Sequence, residues 1–490
     1  MYIAMIAPEC APVVQAGGLG EVVFGLSREL ERRGNAVEIV LPKYDCMRYR
    51  EIHGLRVSYE DLWVPWYSGA IHCTVWFGLV HGRRCYFVEP HSPENFFSRG
   101  CVYGFDDDVI RYAFFCKAAM EFLLKADKRP EVIHCHDWQT ALVPVLLYEL
   151  YQQAGMEHQR VCLTIHNFRH QGIYGEEVLW ATGLLRPEYF FDYARLRDNF
   201  NPAALNLLKG GIVYADFVTT VSPQHAWEVR HTDQGWGLGH TLYLHRDKFG
   251  GILNGVDYDL WNPQIDTHIA SNYSPDALEG KYVNKHALRQ RLWLREGFKP
   301  IVAYVGRLDE QKGVHLIHHA ISYALSEGAQ FVLIGSSTNP AINDDFWRLK
   351  CHLNDHPDCH LELGYEPELA HLIYAGSDLV VMPSLYEPCG LTQLIAARYA
   401  TVPVVRAIGG LRDTVFDHDD GGRSRQERNG YVFHQLDNSA LESAMARAIG
   451  LWHANPWQFR QLMTNGMRAD YSWAPAGRHY LNVYDHIRHK

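Results

Sequence analysis

A strand, a glycine-rich turn, a helix and a second strand follow one another in the first 45 residues of the chain. Residues 2–7 and 36–41 are short apolar runs, Gly17-Gly18-Leu19-Gly20 makes the turn, and residues 21–33 carry apolar side chains at helical spacing. Gly34 is placed to end that helix. Two strands joined through a helix form a βαβ unit, whose strands are parallel. The segment therefore predicts an α/β fold with a parallel sheet.

The same alternation recurs along the chain and divides it into two halves. Apolar runs at 131–134 and 161–165 continue the first series. A second series of predicted strands begins near residue 300, at 301–305, 330–334, 360–363, 379–382 and 402–405. A chain of 490 residues has the length for several domains, since one domain takes roughly 100–200 residues. We therefore predict two Rossmann-like α/β domains, each with its own parallel sheet.

The boundary between the halves is placed at a turn-rich segment, residues 254–263 (NGVDYDLWNP). The predicted domains are residues 1–255 and residues 256–470. The last stretch, residues 471–490, is aromatic and helical in pattern. We expect this stretch to pack back on the N-terminal domain.

Charge and cysteine content narrow the class of protein. The formal net charge is −10, which argues against nucleic acid and anionic membranes as partners. No run of about 18 apolar residues marks a transmembrane helix, and the N-terminus lacks the basic segment of a signal peptide. The 11 cysteines are scattered without CxxC pairs, which favours thiols in a reducing cytoplasm.

The first loop that can carry chemistry is residues 15–20, Gln-Ala-Gly-Gly-Leu-Gly, between a strand and a helix. Glycines there let backbone N–H groups approach a ligand, and a helix N-terminus favours an anion. Taken alone, the segment is equally compatible with a tight structural turn. It is neither a P-loop nor a dinucleotide fingerprint, because the G-K-[ST] and G-x-G-x-x-G patterns are both absent.

Two later loops follow predicted strands of the second half and carry charged side chains. Arg307 and Lys312 come after the strand at 301–305. Two cations at the carboxyl end of a strand suit a diphosphate, although alone they are also compatible with a surface pair. Glu387 comes after the strand at 379–382, and the N–H groups of Leu391 and Thr392 open a predicted helix that can hold phosphate oxygens. An N-cap or a loop ion pair is the alternative role for Glu387.

In combination these segments identify a family. The chain resembles the bacterial glycogen synthases and plant starch synthases, and in particular their cyanobacterial starch-synthase-like members. The resemblance covers nearly the whole length through AGGLGEVV, HCHDWQT, TIHNFRHQG, GGIVYADFVTTVSP, GILNGVDYDLWNP, VGRLDEQKG and EPCGLTQLIAARYATVPVVRAIGGLRDTV, in that order. These proteins are retaining glucosyltransferases of GT-B architecture, with two Rossmann-like domains whose parallel sheets face a central cleft.

The resemblance implies transfer of glucose from ADP-glucose to the non-reducing end of an α-1,4-glucan such as glycogen, starch or a maltooligosaccharide. It places the glucan on the N-terminal domain and the sugar nucleotide on the C-terminal domain. Two fixed cations can neutralise the departing ADP, and no Asp-x-Asp stands at a predicted strand end. We therefore expect no metal and no cofactor, with ADP-glucose as substrate and ADP as product.

Site residues carry over from the family position by position. The catalytic group is Glu387, His166, Arg307 and Lys312, in which Glu387 and His166 border the transferred glucose and the two cations hold the diphosphate. The donor-binding group is Gln15, Gly17, Gly18, Asn254, Tyr365, Cys389, Gly390, Leu391 and Thr392. Tyr365 matches the ring that stacks on adenine. The acceptor-binding group is Asp137, Trp138 and Asn167.

Two positions depart from the family pattern: Glu21 replaces the usual Asp and keeps the carboxylate, and Gln15 is the departure that matters. Family members usually carry Lys in K-x-G-G-L, where Gln15 stands here. Gln can donate a hydrogen bond but has no charge, so we expect turnover to be reduced about ten- to thirty-fold, with ~1.4 kcal/mol per tenfold. The alternatives are a weakly active or non-catalytic glucan-binding homologue with a regulatory role, or a GT-B transferase with a different donor.

Overall fold

The two series of predicted strands become two separate sheets in a computed structural model of the chain, which describes residues 1–364 and 366–490. The chain forms two units. The first, unit 1, contains Met1–Gly255 and Trp473–Lys490, and the second, unit 2, contains Val256–Ser472.

Unit 1 is built on a nine-stranded sheet in the order β11-β10-β7-β6-β1-β2-β5-β4-β3. Its strands are β1 (Tyr2–Ile6), β2 (Ala36–Pro42), β3 (Ile52–Trp66), β4 (Gly69–Val80), β5 (Arg83–Pro90), β6 (Val132–His136), β7 (Arg160–Ile165), β10 (Phe217–Thr220) and β11 (Phe249–Gly251). The short strands β8 (Ile173–Tyr174) and β9 (Leu205–Asn206) form a separate antiparallel pair.

The helices that precede unit 2 are α1 (Gly18–Arg32), α2 (Asp108–Lys125), α3 (Leu142–Leu146), α4 (Glu177–Thr182), α5 (Pro187–Phe190), α6 (Leu207–Tyr214), α7 (Pro223–His231) and α8 (Gly239–Leu244). A π-helical turn, Leu147–Tyr151, extends α3. Helix α1 buries one face, including Val22, Val23, Leu26 and Leu30, as its helical spacing predicts. Gly34 follows the helix with φ of 84°, a conformation that glycine adopts readily.

One edge of this sheet departs from the predicted parallel pattern. Strands β3 and β4 pair antiparallel, as do β4 and β5, whereas the other pairs between described strands of this sheet are parallel. Strand β3 is the edge strand and contains Pro65, a residue that sheets tolerate at an edge because it cannot donate to the ladder. The predicted α/β class holds, with an antiparallel extension that the sequence analysis did not anticipate.

Unit 2 has a six-stranded parallel sheet in the order β14-β13-β12-β15-β16-β17. The strands are β12 (Ile301–Val305), β13 (Gln330–Gly335), β14 (Cys359–Leu363), β15 (Leu379–Met382), β16 (Val402–Arg406) and β17 (Tyr431–Phe433). The helices are α9 (Glu279–Arg291), α10 (Val314–Ser326), α11 (Pro340–Leu353), α12 (Pro367–Gly376), α13 (Thr392–Arg398), α14 (Gly409–Thr414), α15 (Asn438–Ala454) and α16 (Pro456–Arg468).

This strand order is the Rossmann order 3-2-1-4-5-6, in which the chain reverses its direction of travel between the first and fourth strands. Strands β12 and β15 are therefore the switch point of unit 2, and ligands of such sheets bind beyond the carboxyl ends of these strands. In unit 1 the neighbours β1 and β6 hold the equivalent place. Loops predicted to carry chemistry follow all four of these strands, and the predicted site residues His166 and Asn167 follow β7, the neighbour of β6.

The last helix, α17 (Trp473–Arg488), lies in unit 1. Tyr480, Tyr484 and Ile487 are fully buried in the same core as strands β1 and β7. Two glycines allow a close approach to α1. A Cβ on Gly25 would lie 2.0 Å from Nε1 of Trp473, and a Cβ on Gly477 would lie 2.6 Å from the side chain of Glu29.

All eleven cysteines lie in the described part of the chain, and none of them forms a disulfide. Among residues 1–364 and 366–490, no helix is long and apolar enough to cross a membrane.

Candidate active site

The loops after β12 and β15 are joined by a buried ion pair. Lys312 Nζ lies 2.5 Å from Oε2 of Glu387, whose side chain is only 7% exposed. Ser384 Oγ donates to the same oxygen at 3.0 Å. Asp309 accepts a hydrogen bond from the backbone N–H of Lys312 at 3.1 Å and so fixes the turn that carries the ammonium.

Two glycines allow close packing around the Glu387 loop. Gly313 has φ of 74°, and a Cβ there would lie 2.3 Å from the carbonyl oxygen of Pro383, so it lets the loops after β12 and β15 touch. Gly409 is the first residue of α14, and a Cβ there would lie 2.0 Å from the carbonyl oxygen of Glu387. A larger residue at position 313 would push the two loops apart, and one at position 409 would displace the backbone of Glu387.

Arg307 is placed differently from Lys312. Its side chain is 66% exposed, and its guanidinium lies 3.5 Å from Oδ2 of Asp309. Its backbone carbonyl accepts a hydrogen bond from Tyr304 Oη at 2.5 Å, which anchors the residue beyond the end of β12. The structure thus brings Lys312 and Glu387 together and leaves the Arg307 side chain extended at the same end of the sheet.

Residues 389–392 form the turn into α13. Gly390 has φ of 74°, and Thr392 Oγ1 donates to the carbonyl of Val305 at 3.3 Å, which ties the start of α13 to the end of β12. Gln393, which the sequence analysis missed, donates from Nε2 to the carbonyls of Cys389 and Gly390, each at 3.0 Å. Leu391 is the N-cap residue of the helix.

Two further residues are predicted to bind the donor. Tyr365 is outside the described residues. Asn254 lies in unit 1 shortly after β11 and is 8% exposed. Its side-chain oxygen has no hydrogen-bond partner among the described residues. A buried amide oxygen without a donor is unusual and fits a residue that meets a ligand.

In unit 1, the amides of the glycine-rich loop are directed at a carboxylate of the protein. Glu9 is 3% exposed, and its Oε2 accepts hydrogen bonds from the N–H groups of Ala16 (2.6 Å) and Gly17 (3.2 Å). Tyr103 Oη donates to Oε1 of Glu9 at 2.6 Å. The glycine-rich pattern predicts that these amides meet a ligand. Glu9 is not identifiable from the sequence as their partner, because nothing local marks it.

Gln15 is exposed, and its Nε2 donates to Oε1 of Glu21 at 2.8 Å. Gly17 is the N-cap of α1 and Gly18 its first residue, and a Cβ at either position would meet nothing within 4 Å. Beside the loop lies an open cavity of about 380 Å³. Its lining consists of Val13, Val14, Gln15, Ala16, Cys46, Arg48, Cys101, Val102 and Tyr103.

Asp137 connects the end of β6 to the loop after β7. It has φ of 59°, and its Oδ1 accepts hydrogen bonds from the backbone N–H groups of His166 (2.6 Å) and Asn167 (3.3 Å). Loss of hydration raises the pKa of Asp137 to about 7, and the nearby Glu9 carboxylate acts in the same direction. The neighbouring ends of β6 and β7 therefore bring Asp137, His166 and Asn167 together.

His166 is the outermost of three stacked imidazoles. Its Nε2 lies 3.2 Å from Nδ1 of His136, and the rings of His136 and His134 have centroids 4.2 Å apart. Burial lowers the pKa of His166 and of His134 to about 3 and that of His136 well below its usual range. At neutral pH His166 is therefore uncharged and can hydrogen-bond a hydroxyl group.

Trp138 is buried rather than presented to solvent. Its ring is 9% exposed and meets the Tyr112 ring edge to face, with centroids 5.6 Å apart. The backbone of Gly172 packs against the same ring, since a Cβ there would lie 2.5 Å from it. Within the described residues no group of three or more His, Cys, Asp or Glu side chains could hold a metal ion.

Comparisons with known proteins show the family of the chain. Residues 2–243 match the family model described as the starch synthase catalytic domain, and residues 290–458 match that of glycosyl transferases group 1. Glycogen synthase 1 of Synechococcus sp. (strain JA-3-3Ab) is 64% identical, and the probable glycogen synthase 2 of Nostoc sp. (strain PCC 7120) is 63% identical. In both comparisons the alignment spans 100% of each chain.

Two solved structures are also similar. The catalytic domain of starch synthase IV from Arabidopsis thaliana, bound to ADP and acarbose, has a TM-score of 0.96 and 42% identity, with 100% of both chains covered. Sucrose-phosphate synthase from Thermosynechococcus elongatus has a TM-score of 0.62 at 19% identity over 99% of both chains, which shows the fold alone.

The two α/β units and the strand orders of their sheets are those of a two-domain α/β glycosyltransferase. Identity of more than 60% over the whole length then fixes the family: the chain belongs to the glycogen and starch synthases.

Proposed function

We propose that this chain transfers glucose from ADP-glucose to the non-reducing end of an α-1,4-glucan and retains the anomeric configuration. The observation that carries the proposal is the Lys312–Glu387 pair beyond the ends of β12 and β15, with Arg307 at the same end of the sheet. The ADP bound to the Arabidopsis starch synthase IV domain supports ADP as the nucleotide.

The chemistry required is charge stabilisation. The bond between the anomeric carbon and the β-phosphate oxygen breaks, so negative charge grows on ADP and positive charge on the sugar. Lys312 and Arg307 would hold the diphosphate, and the opening N–H groups of α13 would add donors. Glu387 would orient sugar hydroxyls, and it already holds the Lys312 ammonium in place.

In the front-face route that the family implies, the acceptor O4 bonds to the anomeric carbon on the side the phosphate leaves. The leaving phosphate oxygen takes the proton of the acceptor hydroxyl. His166 would border the transferred glucose as an uncharged imidazole that hydrogen-bonds a hydroxyl. Asp137 would fix the backbone of that segment, and Asn167 would meet the acceptor.

We place the activity in the cytoplasm, because eleven cysteines without a disulfide among them suit a reducing compartment. We expect ADP-glucose and the glucan to be its partners, without nucleic acid or membrane.

A weakly active or regulatory glucan-binding protein is the second candidate, favoured by Gln15 alone. Its side chain is uncharged and bonded to Glu21, where the family usually offers a cation. A chain that binds glycogen but neither hydrolyses ADP-glucose nor transfers glucose from it would fit this candidate and not the enzyme.

The test is incorporation of radiolabelled glucose from ADP-glucose into glycogen. Replacing Arg307 by Met, or Lys312 by Met, should lower kcat about 10²–10³-fold, because fixed charges act on the transition state. Arg291→Met is the control, since Arg291 also forms an ion pair in unit 2, with Glu366, but lies in α9 and not in a loop that follows β12 or β15. Melting curves would check that the variants fold. Full activity in both Arg307→Met and Lys312→Met would contradict the proposed donor site.

A further inference from the structure

An exposed tryptophan in unit 1 has a strained backbone. Trp236 has φ of 47°, and 45% of its surface is exposed. A bulky residue in the left-handed region is a genuine outlier, and such a conformation persists only where the surroundings impose it. An exposed ring gains little from burial, so the fold itself does not explain why Trp stands here instead of Gly.

Buried amides impose this conformation and link it to the predicted acceptor segment. Gln171 is 8% exposed and donates from Nε2 to the carbonyls of Trp236 (2.9 Å) and Phe168 (2.8 Å). Its Oε1 accepts from Asn206 Nδ2 at 2.6 Å. One carboxamide therefore bonds both the Trp236 backbone and the loop that begins with His166 and Asn167.

A second exposed ring belongs to the same surface. Phe200 is 78% exposed, and a Cβ on Gly237 would lie 2.0 Å from Cε2 of its ring, so the Phe200 ring packs on the residue after Trp236. Asn199 Nδ2 donates to the carbonyl of Gly237 at 2.7 Å, which locks the two ring-bearing loops together. The rings are thus held in place by contacts that do not bury them.

A cation completes the group. The guanidinium of Arg169 lies 5.7 Å from the centre of the Trp236 ring, and the Arg169 backbone N–H donates to Oδ1 of Asn167 at 2.9 Å. Arg169 therefore connects the ring of Trp236 to a residue of the predicted acceptor site. We call Arg169, Phe200 and Trp236 the aromatic platform.

We propose that the aromatic platform binds glucosyl residues of the acceptor glucan beyond those that meet His166 and Asn167, an inference that rests on the proposed function. Exposed aromatic rings fixed in advance lose little conformational freedom when they bind a ligand. The flat C–H face of a glucose ring can stack on them, while Arg169 donates to its hydroxyls. A nucleotide would instead require cations at the end of a sheet, an arrangement that unit 2 has at Arg307 and Lys312.

The variant that tests this is the full-length double substitution Phe200→Ala with Trp236→Gly. Glycine adopts φ near 47° without strain, so Trp236→Gly removes the ring and relieves the strain of the backbone. Phe200→Ala removes the second ring. The matched control is Trp293→Gly in unit 2, where Trp293 has φ of 53° and is 84% exposed. Both proteins would be compared with the unmodified chain.

The first readout is glycogen and maltoheptaose binding, by affinity electrophoresis and calorimetry. We expect the double variant to bind both about tenfold more weakly, which corresponds to ~1.4 kcal/mol, and the control to bind like the unmodified chain. Equal binding by all three proteins, or no glucan binding by the unmodified chain, would overturn the platform. This readout does not depend on catalysis.

The second readout is transfer from ADP-glucose. The KM for maltoheptaose should rise about tenfold in the double variant, whereas kcat and the kinetics with maltose should stay within about twofold, because a disaccharide does not extend beyond the catalytic site. A parallel loss with both acceptors would overturn the proposal. The unmodified chain could bind maltoheptaose but transfer no glucose, with weaker binding seen only in the double variant. In that case the proposed function fails and the aromatic platform stands.

Discussion

Gln15 is the residue that we predict to limit turnover. Its amide donates to Glu21 at the start of α1, beside amides that already meet the Glu9 carboxylate. Two carboxylates therefore border this loop. A cation at position 15 would balance them and would attract a phosphate, which an uncharged amide does far less strongly.

Replacing Gln15 by Lys should raise kcat for glucose transfer about tenfold. A charge-assisted hydrogen bond is worth roughly 1.5–3 kcal/mol against about 1 for a neutral one. Steady-state kinetics with ADP-glucose and glycogen would measure the gain, and Gln15→Met, which has neither charge nor donor, is the control. A kcat for Gln15→Lys at or below that of the unmodified chain would show that position 15 does not limit turnover.

Asp137 predicts a pH dependence of stability. Its pKa is raised to about 7, so the folded state favours the neutral carboxyl. The stability that this group contributes is complete below its unfolded pKa of about 4 and is lost as the pH rises through about 7. The substitution Asp137→Asn would keep a side-chain oxygen that accepts from His166 and Asn167, and asparagine tolerates the left-handed conformation.

We therefore expect the free energy of unfolding of Asp137→Asn, relative to that of the unmodified chain, to increase by about 1–2 kcal/mol from pH 5 to pH 8. Urea unfolding at the two pH values measures the difference. Asp127→Asn is the control, because Asp127 has φ of 51° but a side chain 89% exposed. If both variants show the same change in stability between pH 5 and pH 8, burial does not raise the pKa of Asp137.

At the scale of elements, the packing of α1 on α17 depends on residues that have almost no side chain. Gly25 lies where any Cβ would enter the Trp473 ring. Arg33 in turn donates to the carbonyl of Ala474 at 2.9 Å and binds Glu29 at 2.7 Å. Arg33 and Ala474 are 441 residues apart in the sequence. Nothing in the local pattern of α1 therefore indicates this contact.

Gly25→Ala should therefore destabilise unit 1 by about 1–3 kcal/mol, since the added methyl group overpacks a filled interface. Gly450→Ala is the matched control. Gly450 also lies inside a helix, but a Cβ there meets nothing within 4 Å, so alanine should stabilise by about 0.5–1 kcal/mol. Calorimetric melting would show shifts of opposite sign. A rise in melting temperature for Gly25→Ala would contradict the described α1–α17 contact.

At the scale of the whole molecule, unit 2 interrupts unit 1 in the sequence. Unit 1 consists of Met1–Gly255 and Trp473–Lys490, whereas unit 2 is one continuous stretch. The buried rings of Tyr480 and Tyr484 belong to the first core, and Tyr484 Oη lies 2.7 Å from Nδ1 of His134. The final helix therefore completes unit 1 and also supports the histidine stack that ends at His166.

A chain that ends at Ser472 should lose the cooperative unfolding transition of unit 1 and keep that of unit 2. Removal of α17 would expose the apolar core and leave His134 without the Tyr484 hydroxyl. Scanning calorimetry of the shortened chain tests this, with removal of only residues 489–490 as the control. Two intact transitions after loss of residues 473–490 would show that α17 is dispensable for unit 1.

Much of the fold was predictable because local apolar patterns determine its strands and helices. The apolar runs at 301–305 and 379–382 coincide with β12 and β15, and the α1 pattern places its buried face correctly. The antiparallel strands β3–β5 were missed, since β3 alternates irregularly and its pairing with β4 contains register shifts. Such irregular pairing depends on the partner strand, which sequence periodicity does not identify.

The sequence by itself determined the class of fold, the loops that carry charge and the family, because apolar periodicity, turn residues and motif order are local properties of the chain. Only the tertiary structure decided which side chains meet. Lys312 and Glu387 form an ion pair although they are 75 residues apart in the sequence. Asn199 and Gly237, whose hydrogen bond holds the aromatic platform, are 38 residues apart. Such contacts follow from strand order and close loop packing, and a residue far along the chain leaves no local signal of its partner.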